Sequence, residues 1–231
     1  MSTFRKFKIK KDYLNIGEDM YTNDIITITP GITVFVGANG SGKSTLLRQI
    51  KNQLDDRSNT LYLYYDHHDA TVNDDPYNNI LKDYKNELTR ENTKKIKDMV
   101  YSEGEYGYLY LKDLFDGCLD LIARLYNNDL KYGFVIIDGL NSSISYDKIS
   151  SAKEVLHTMI HTAKDLCNLD LYVLIATNDY AWMENEKCMC VSDFHTYNFN
   201  NYDSYKYYII RSSRKVNERE GKLTKLENQN G

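Results

Sequence analysis

The sequence predicts an α/β fold with a mostly parallel central sheet, and three observations carry that prediction. The runs Ile32-Thr33-Val34-Phe35-Val36, Phe134-Val135-Ile136-Ile137 and Leu171-Tyr172-Val173-Leu174-Ile175-Ala176 are continuous and apolar, as strands buried on both faces are. The later two close on polar residues, Asp138 and Thr177-Asn178-Asp179, at the strand end where parallel sheets bind ligands. Between the first strand and a helical pattern (Leu46, Leu47, Ile50, Leu54) lies a glycine-rich turn, Gly37-Ala38-Asn39-Gly40-Ser41-Gly42-Lys43-Ser44-Thr45.

That turn is a complete Walker A motif in its proper setting, which makes the fold a P-loop NTPase. Glycines at 37, 40 and 42 let the backbone fold tightly around a polyphosphate, so that successive N–H groups and the amino end of the helix face the anion. Lys43 is then positioned to reach the terminal phosphates. Ser44 is the expected magnesium ligand, because a hard cation takes oxygen donors and the phosphates supply others. ATP or GTP binding is what strand, loop and helix together imply.

Bulk properties narrow the class. A chain of 231 residues is read as one domain, with a helical subdomain at roughly 73–126 and a charged tail at 211–231. A net charge of -4 and a pI near 5.8 give no global attraction to nucleic acid, so any DNA contact is local. Four cysteines, no signal-like segment and no long apolar run point to a reduced, cytoplasmic protein without a membrane span. Two prolines, 21 tyrosines and many asparagines fit the codon bias of an AT-rich genome.

The remaining elements follow in chain order. Residues 4–9 alternate apolar with basic and read as a half-buried strand, its positive face solvated or set against phosphates. Ile25 to Ile28 is a second strand, and Pro30-Gly31 turns into the Walker A strand. Tyr13 and Tyr21 are candidates for stacking on a base, with sheet packing the favoured role for each. Residues 60–65 form a strand that delivers Asp66, the carboxylate expected near the magnesium or its waters. His67 and His68 lack a third spaced ligand, so a zinc cage is not expected. Weak helical periodicity runs over 73–99, followed by Ser102-Glu103-Gly104-Glu105. A strong stripe then appears at Leu111, Leu114, Phe115, Cys118, Ile122 and Leu125.

Asp138, closing the second apolar run, has the form of a Walker B carboxylate that orders magnesium. Residues 151–169 are helical, with His157 and His161 one turn apart in a surface or packing role. Cys188-Met189-Cys190 sits in a strand, too sparse for zinc. Tyr205 to Ile210 packs as a helix or a strand, and the basic tail from Arg211 to Lys225 reads as exposed.

Taken in order, Gly37 to Thr45, Ser102-Glu103-Gly104-Glu105, Ile136-Ile137-Asp138 and Thr177-Asn178 resemble the ABC-type ATPases over nearly the whole chain. The nearest likeness is to soluble RecF/SMC-like members and small ATPases of low-GC bacteria and phages. The resemblance implies ATP and Mg2+ as cofactors, with Lys43, Asp138 and Asn178 catalytic and with Ser44, Asp138 and Asp66 around the metal. It makes Ser102 and Gly104 a signature element that meets the nucleotide held by a second copy. Two copies would then close on ATP, a homodimer switched by nucleotide, with Ser142, Ser143 and Ile144 near the subunit contact and DNA or a protein as the further partner. Repair, recombination and phage-related roles all fit.

The departures matter as much. Gly139 stands where such enzymes carry a glutamate as general base, so turnover is expected to be slow. Asn178 stands in the place of the switch histidine, where an amide can bond a phosphate but not shuttle a proton. Asp66 or His68 substitutes for the missing Q-loop glutamine. The alternative is an ATP-binding, hydrolysis-deficient regulatory or structural module. A P-loop kinase is disfavoured, because residues 86–131 offer only Arg90 and Arg124 as phosphate clamps.

Overall fold

Tyrosine, phenylalanine and β-branched residues are frequent in the central strands. The computed structural model describes residues 4–11, 19–57, 60–66, 70–72, 103–139 and 144–230. Strands β1 (Arg5–Lys8) and β2 (Ile25–Ile28) pair as an antiparallel ribbon. The others are β3 (Gly31–Val36), β4 (Leu61–Asp66), β5 (Ala70–Val72), β6 (Tyr132–Asp138), β7 (Asp170–Ala176), β8 (Lys187–Cys190) and β9 (Thr196–Tyr197). They form a 7-stranded sheet in the order β5-β4-β6-β7-β3-β8-β9. From β4 to β8 all neighbours are parallel, while β5 and β9 close the edges antiparallel. The Walker A strand β3 is thus separated from the Walker B strand β6 by β7.

The helices are α1 (Lys43–Asp55), α2 (Glu103–Asn127), α3 (Tyr146–Cys167), the single turn α4 (Tyr180–Met183) and α5 (Tyr202–Asn230). Successive strand residues point to opposite sheet faces, and both faces are covered. Val34, Val135, Ile137, Val173 and Ile175 pack with α2, α3 and α4 and with Tyr205 of α5. Phe35, Phe134, Ile136, Tyr172 and Leu174 pack with α1 and the β1–β2 ribbon. Every central strand therefore reads as a near-continuous apolar run.

Helix α2 buries Leu111, Leu114, Cys118 and Leu125 and half-buries Phe115 and Ile122, the stripe its periodicity predicts. Its carboxyl end feeds directly into β6, so its amino end points toward the carboxyl ends of the strands, as the phosphate loop does. Helix α3 starts at Tyr146 rather than Ser151, because Ile149 adds a buried contact to its first turns, and it ends on Asn168 in the left-handed conformation (φ 52).

Ile144 is 5% exposed and packs in the core beside α3. The basic stretch from Arg211 continues α5 as a helix whose Arg211, Arg214 and Glu218 are exposed, with Val216 buried between them. Several sequence readings fall on positions outside the described residues: the periodicity over 73–99, Tyr13, His67, His68, Ser102, Ser142 and Ser143.

Phe134 anchors the α1 side of the sheet. Its ring stacks on Tyr172 at 4.7 Å and meets Phe7 edge-on at 5.7 Å. Replacing Phe134 by Ala is expected to destabilise the fold by about 3–5 kcal/mol. A urea-unfolding midpoint that moves by the equivalent of less than about 1 kcal/mol would contradict this packing.

Candidate nucleotide-binding site

The predicted cradle lies between β3 and α1. Gly37, Ala38, Asn39, Gly40, Ser41 and Gly42 form the loop, and Lys43, Ser44 and Thr45 open the helix. Gly42 caps α1 with φ 95, a conformation that side chains other than glycine resist. A Cβ there would also strike Met20 and the Tyr21 hydroxyl. Tyr21 is fully buried and donates its hydroxyl to the Gly42 carbonyl at 2.9 Å. It supports the loop from below and has no face for a base, which agrees with the packing role favoured from sequence.

Asp138, 8% exposed at the end of β6, meets the loop across the sheet. Ser44 donates its hydroxyl to Asp138 Oδ1 at 2.8 Å, and Tyr64 donates to Oδ2 at 3.3 Å. A serine hydroxyl and a carboxylate side by side are the hard oxygen donors that Mg2+ takes, so the residues present fit that ion together with phosphate oxygens. The backbone of Asp66, at the end of β4, lies in register with Asp138.

A family model described as an AAA domain matches residues 27–174, more than half of the chain, from the end of β2 into β7. The match takes in the whole loop, Ser44 and Asp138. The chain belongs to this AAA-domain family. Membership makes the α/β architecture that of a P-loop NTPase and implies a nucleotide, usually with Mg2+. A comparison with curated proteins finds no match.

Two residues beyond β7 and outside the matched stretch, Asn178 donates its amide to the side-chain oxygen of Asn39 in the loop. Gly139 has φ 74 and donates its N–H to the Ala176 carbonyl at 3.3 Å. Position 139 is therefore held in a backbone conformation that disfavours any side chain. Gly104 lies in the first turn of α2.

Sequence reasoning missed Tyr64 and the whole contribution of α5. Tyr208 donates to the Val36 carbonyl at 3.4 Å and to Cys190 Sγ at 2.7 Å, and Ser212 Oγ accepts the Ala38 N–H at 3.2 Å. Tyr205 donates to the Asn178 carbonyl. The spacing of 205, 208 and 212 puts one helix face against the loop, a periodic signal carried by tyrosines and serine rather than by aliphatic residues. Burial, with Cys190 beside it, holds the Tyr208 phenol protonated.

The remaining histidine and cysteine pairs are structural. His157 Nε2 lies 2.8 Å from Glu186 Oε1, which Lys153 also approaches at 3.7 Å. Cys188 is buried, and burial raises its thiol to about 12. Among the described residues no group of three His, Cys, Asp or Glu is placed to hold a metal.

Lys43 donates to the Gly37 and Ala38 carbonyls at 2.8 and 3.1 Å. Burial lowers its ammonium from 10.5 to about 8, with Asp138 working in the opposite direction. A phosphate taking up this ammonium raises its pKa again, so binding above about pH 8 must also take up a proton, and affinity falls with rising pH. ATP affinity is expected to drop roughly tenfold from pH 7 to pH 9, while Lys43→Arg, always charged, stays flat. Titration calorimetry giving equal affinity for the unsubstituted chain at both pH values would contradict this.

Proposed function

We propose that this chain is an ABC-type, RecF/SMC-like ATPase that binds ATP-Mg, dimerises around it and hydrolyses it slowly, as a switch acting on DNA or a protein partner. The observation that carries this reading is the Ser44–Asp138 contact at 2.8 Å, made at the head of a complete phosphate loop. In this reading the loop cradles the phosphates through backbone N–H groups other than those of Ala38 and Ser41, which are donated to Ser212 Oγ and the Ala38 carbonyl. Lys43 leaves the Gly37 and Ala38 carbonyls to pair with the terminal phosphate. Ser44 and Asp138, with Asp66 near the waters, hold the magnesium. When bound, that ion supplies positive charge against the terminal phosphate oxygens. Asn178, tied to Asn39, is poised to turn its amide toward the same phosphate.

The orientation of α2 supports the second half of the reading. Its amino end, bearing Gly104 and preceded by Ser102, points to the same end of the sheet as the loop. A helix amino end with glycine and serine is suited to a neighbour's terminal phosphate. One copy cannot close its own site that way, so ATP acts between two copies. The cellular setting we assign is cytoplasmic, with repair, recombination or a phage-related process as the task and no membrane partner. Among the described residues no helix is long and apolar enough to cross a membrane.

The φ of 74 at Gly139 favours a second reading, a module that binds ATP and scarcely hydrolyses it. Lacking a general base, turnover is expected roughly 10²–10⁴-fold below that of a site that has one. Light scattering with and without ATP and Mg2+ tests the switch. The expected result is a nucleotide-dependent doubling of mass that is lost in Lys43→Ala. The same monomer mass under both conditions would overturn the dimerising reading.

A further inference from the structure

A cleft of about 660 Å³ opens beside the phosphate loop, walled by residues 19–22, the turn after β8, β9 and α5. That volume suits a small-molecule ligand. Its floor includes Ser41, a loop residue only 8% exposed, whose hydroxyl has no hydrogen-bond partner among the described residues. A buried, unpartnered hydroxyl is costly unless a ligand satisfies it.

We propose that this cleft is the nucleoside pocket, receiving the base and ribose of the nucleotide whose phosphates the loop holds. The inference rests on the reading of the loop as a triphosphate site. Direction is fixed by the sheet order: Ser44 and Asp138 mark the metal and terminal-phosphate end, toward β6. The cleft lies on the other side of β3, toward β8 and β9. A triphosphate threaded with its last phosphate at Asp138 therefore leaves the loop toward the cleft.

The walls carry the chemistry a nucleoside needs. Tyr207, 71% exposed on α5, and Arg211 one turn later present a ring and a guanidinium for stacking on a base. Phe199 stacks on Tyr197 and leans on Tyr208, extending the aromatic surface. Asp193 and Glu218 line the cleft as acceptors for ribose hydroxyls or a base amino group. Tyr21, the described sequence candidate for stacking, is buried beneath Gly42 and cannot serve. The base is instead recognised by the carboxyl-terminal helix, which is also tied to the loop through Ser212 and the Ala38 N–H.

Calorimetric affinities for ATP and for inorganic tripolyphosphate separate base recognition from phosphate recognition, using the full chain. Tyr207→Ala and Arg211→Gln, both at exposed positions, are expected to weaken ATP at least about fivefold and tripolyphosphate much less. Unchanged ATP affinity in both variants would overturn the pocket. So would equal weakening of both ligands, which would make α5 a support of the loop and not a wall for the base. Failure of the underlying reading is distinct: there, Lys43→Ala would leave ATP and tripolyphosphate affinities as they are in the unsubstituted chain.

Discussion

The hydrogen bond between Ser44 and Asp138 joins the first turn of a helix to the end of a strand far away in sequence, and the site depends on that meeting. It requires β3 and β6 to end at the same level. They are not neighbours, because β7 lies between them, so their register is set twice over: Val34 pairs with Ile175, and Ile137 pairs with Ile175 in turn. The strands hold that register because their side chains interlock on both faces, and a slip of one residue would turn every side chain to the wrong side.

The second constraint comes from the end of the chain. Helix α5 hydrogen-bonds to Val36 at the end of β3, to Ala38 in the loop and to Asn178 beyond β7. A backbone N–H of this loop, that of Ala38, is donated to Ser212 Oγ. The position of α5 and the shape of the loop are therefore coupled: whatever moves this helix alters a donor of the cradle.

The central sheet was legible in the sequence because parallel strands buried on both faces leave continuous apolar runs, and those at 32–36, 134–138 and 171–176 are unmistakable. The loop was legible because phosphate binding demands glycines at fixed places. The stripe on α2 was legible because its apolar residues recur at helical spacing. Strand order was not, since nothing within Leu171 to Ala176 says which strands flank it. The role of α5 was hidden for a chemical reason: its contacts with the loop run through Tyr205, Tyr208 and Ser212, among basic residues that resemble a solvated tail. Ile144 was placed near a subunit contact by resemblance alone, and its packing in the core beside α3 could not be read from the chain. Gly139 was singled out only through the resemblance, as the place of a glutamate. Only the backbone angle reveals that the position resists any side chain.

The account stands on Ser44 and Asp138 forming a metal seat rather than a structural cap on a strand end. The most direct measurement is ATP affinity with and without Mg2+, in the unsubstituted chain and in Ser44→Ala and Asp138→Asn. The account predicts that Mg2+ tightens ATP binding in the unsubstituted chain, and that this gain disappears in both variants while metal-free affinity is retained. A gain of equal size in all three proteins would contradict it.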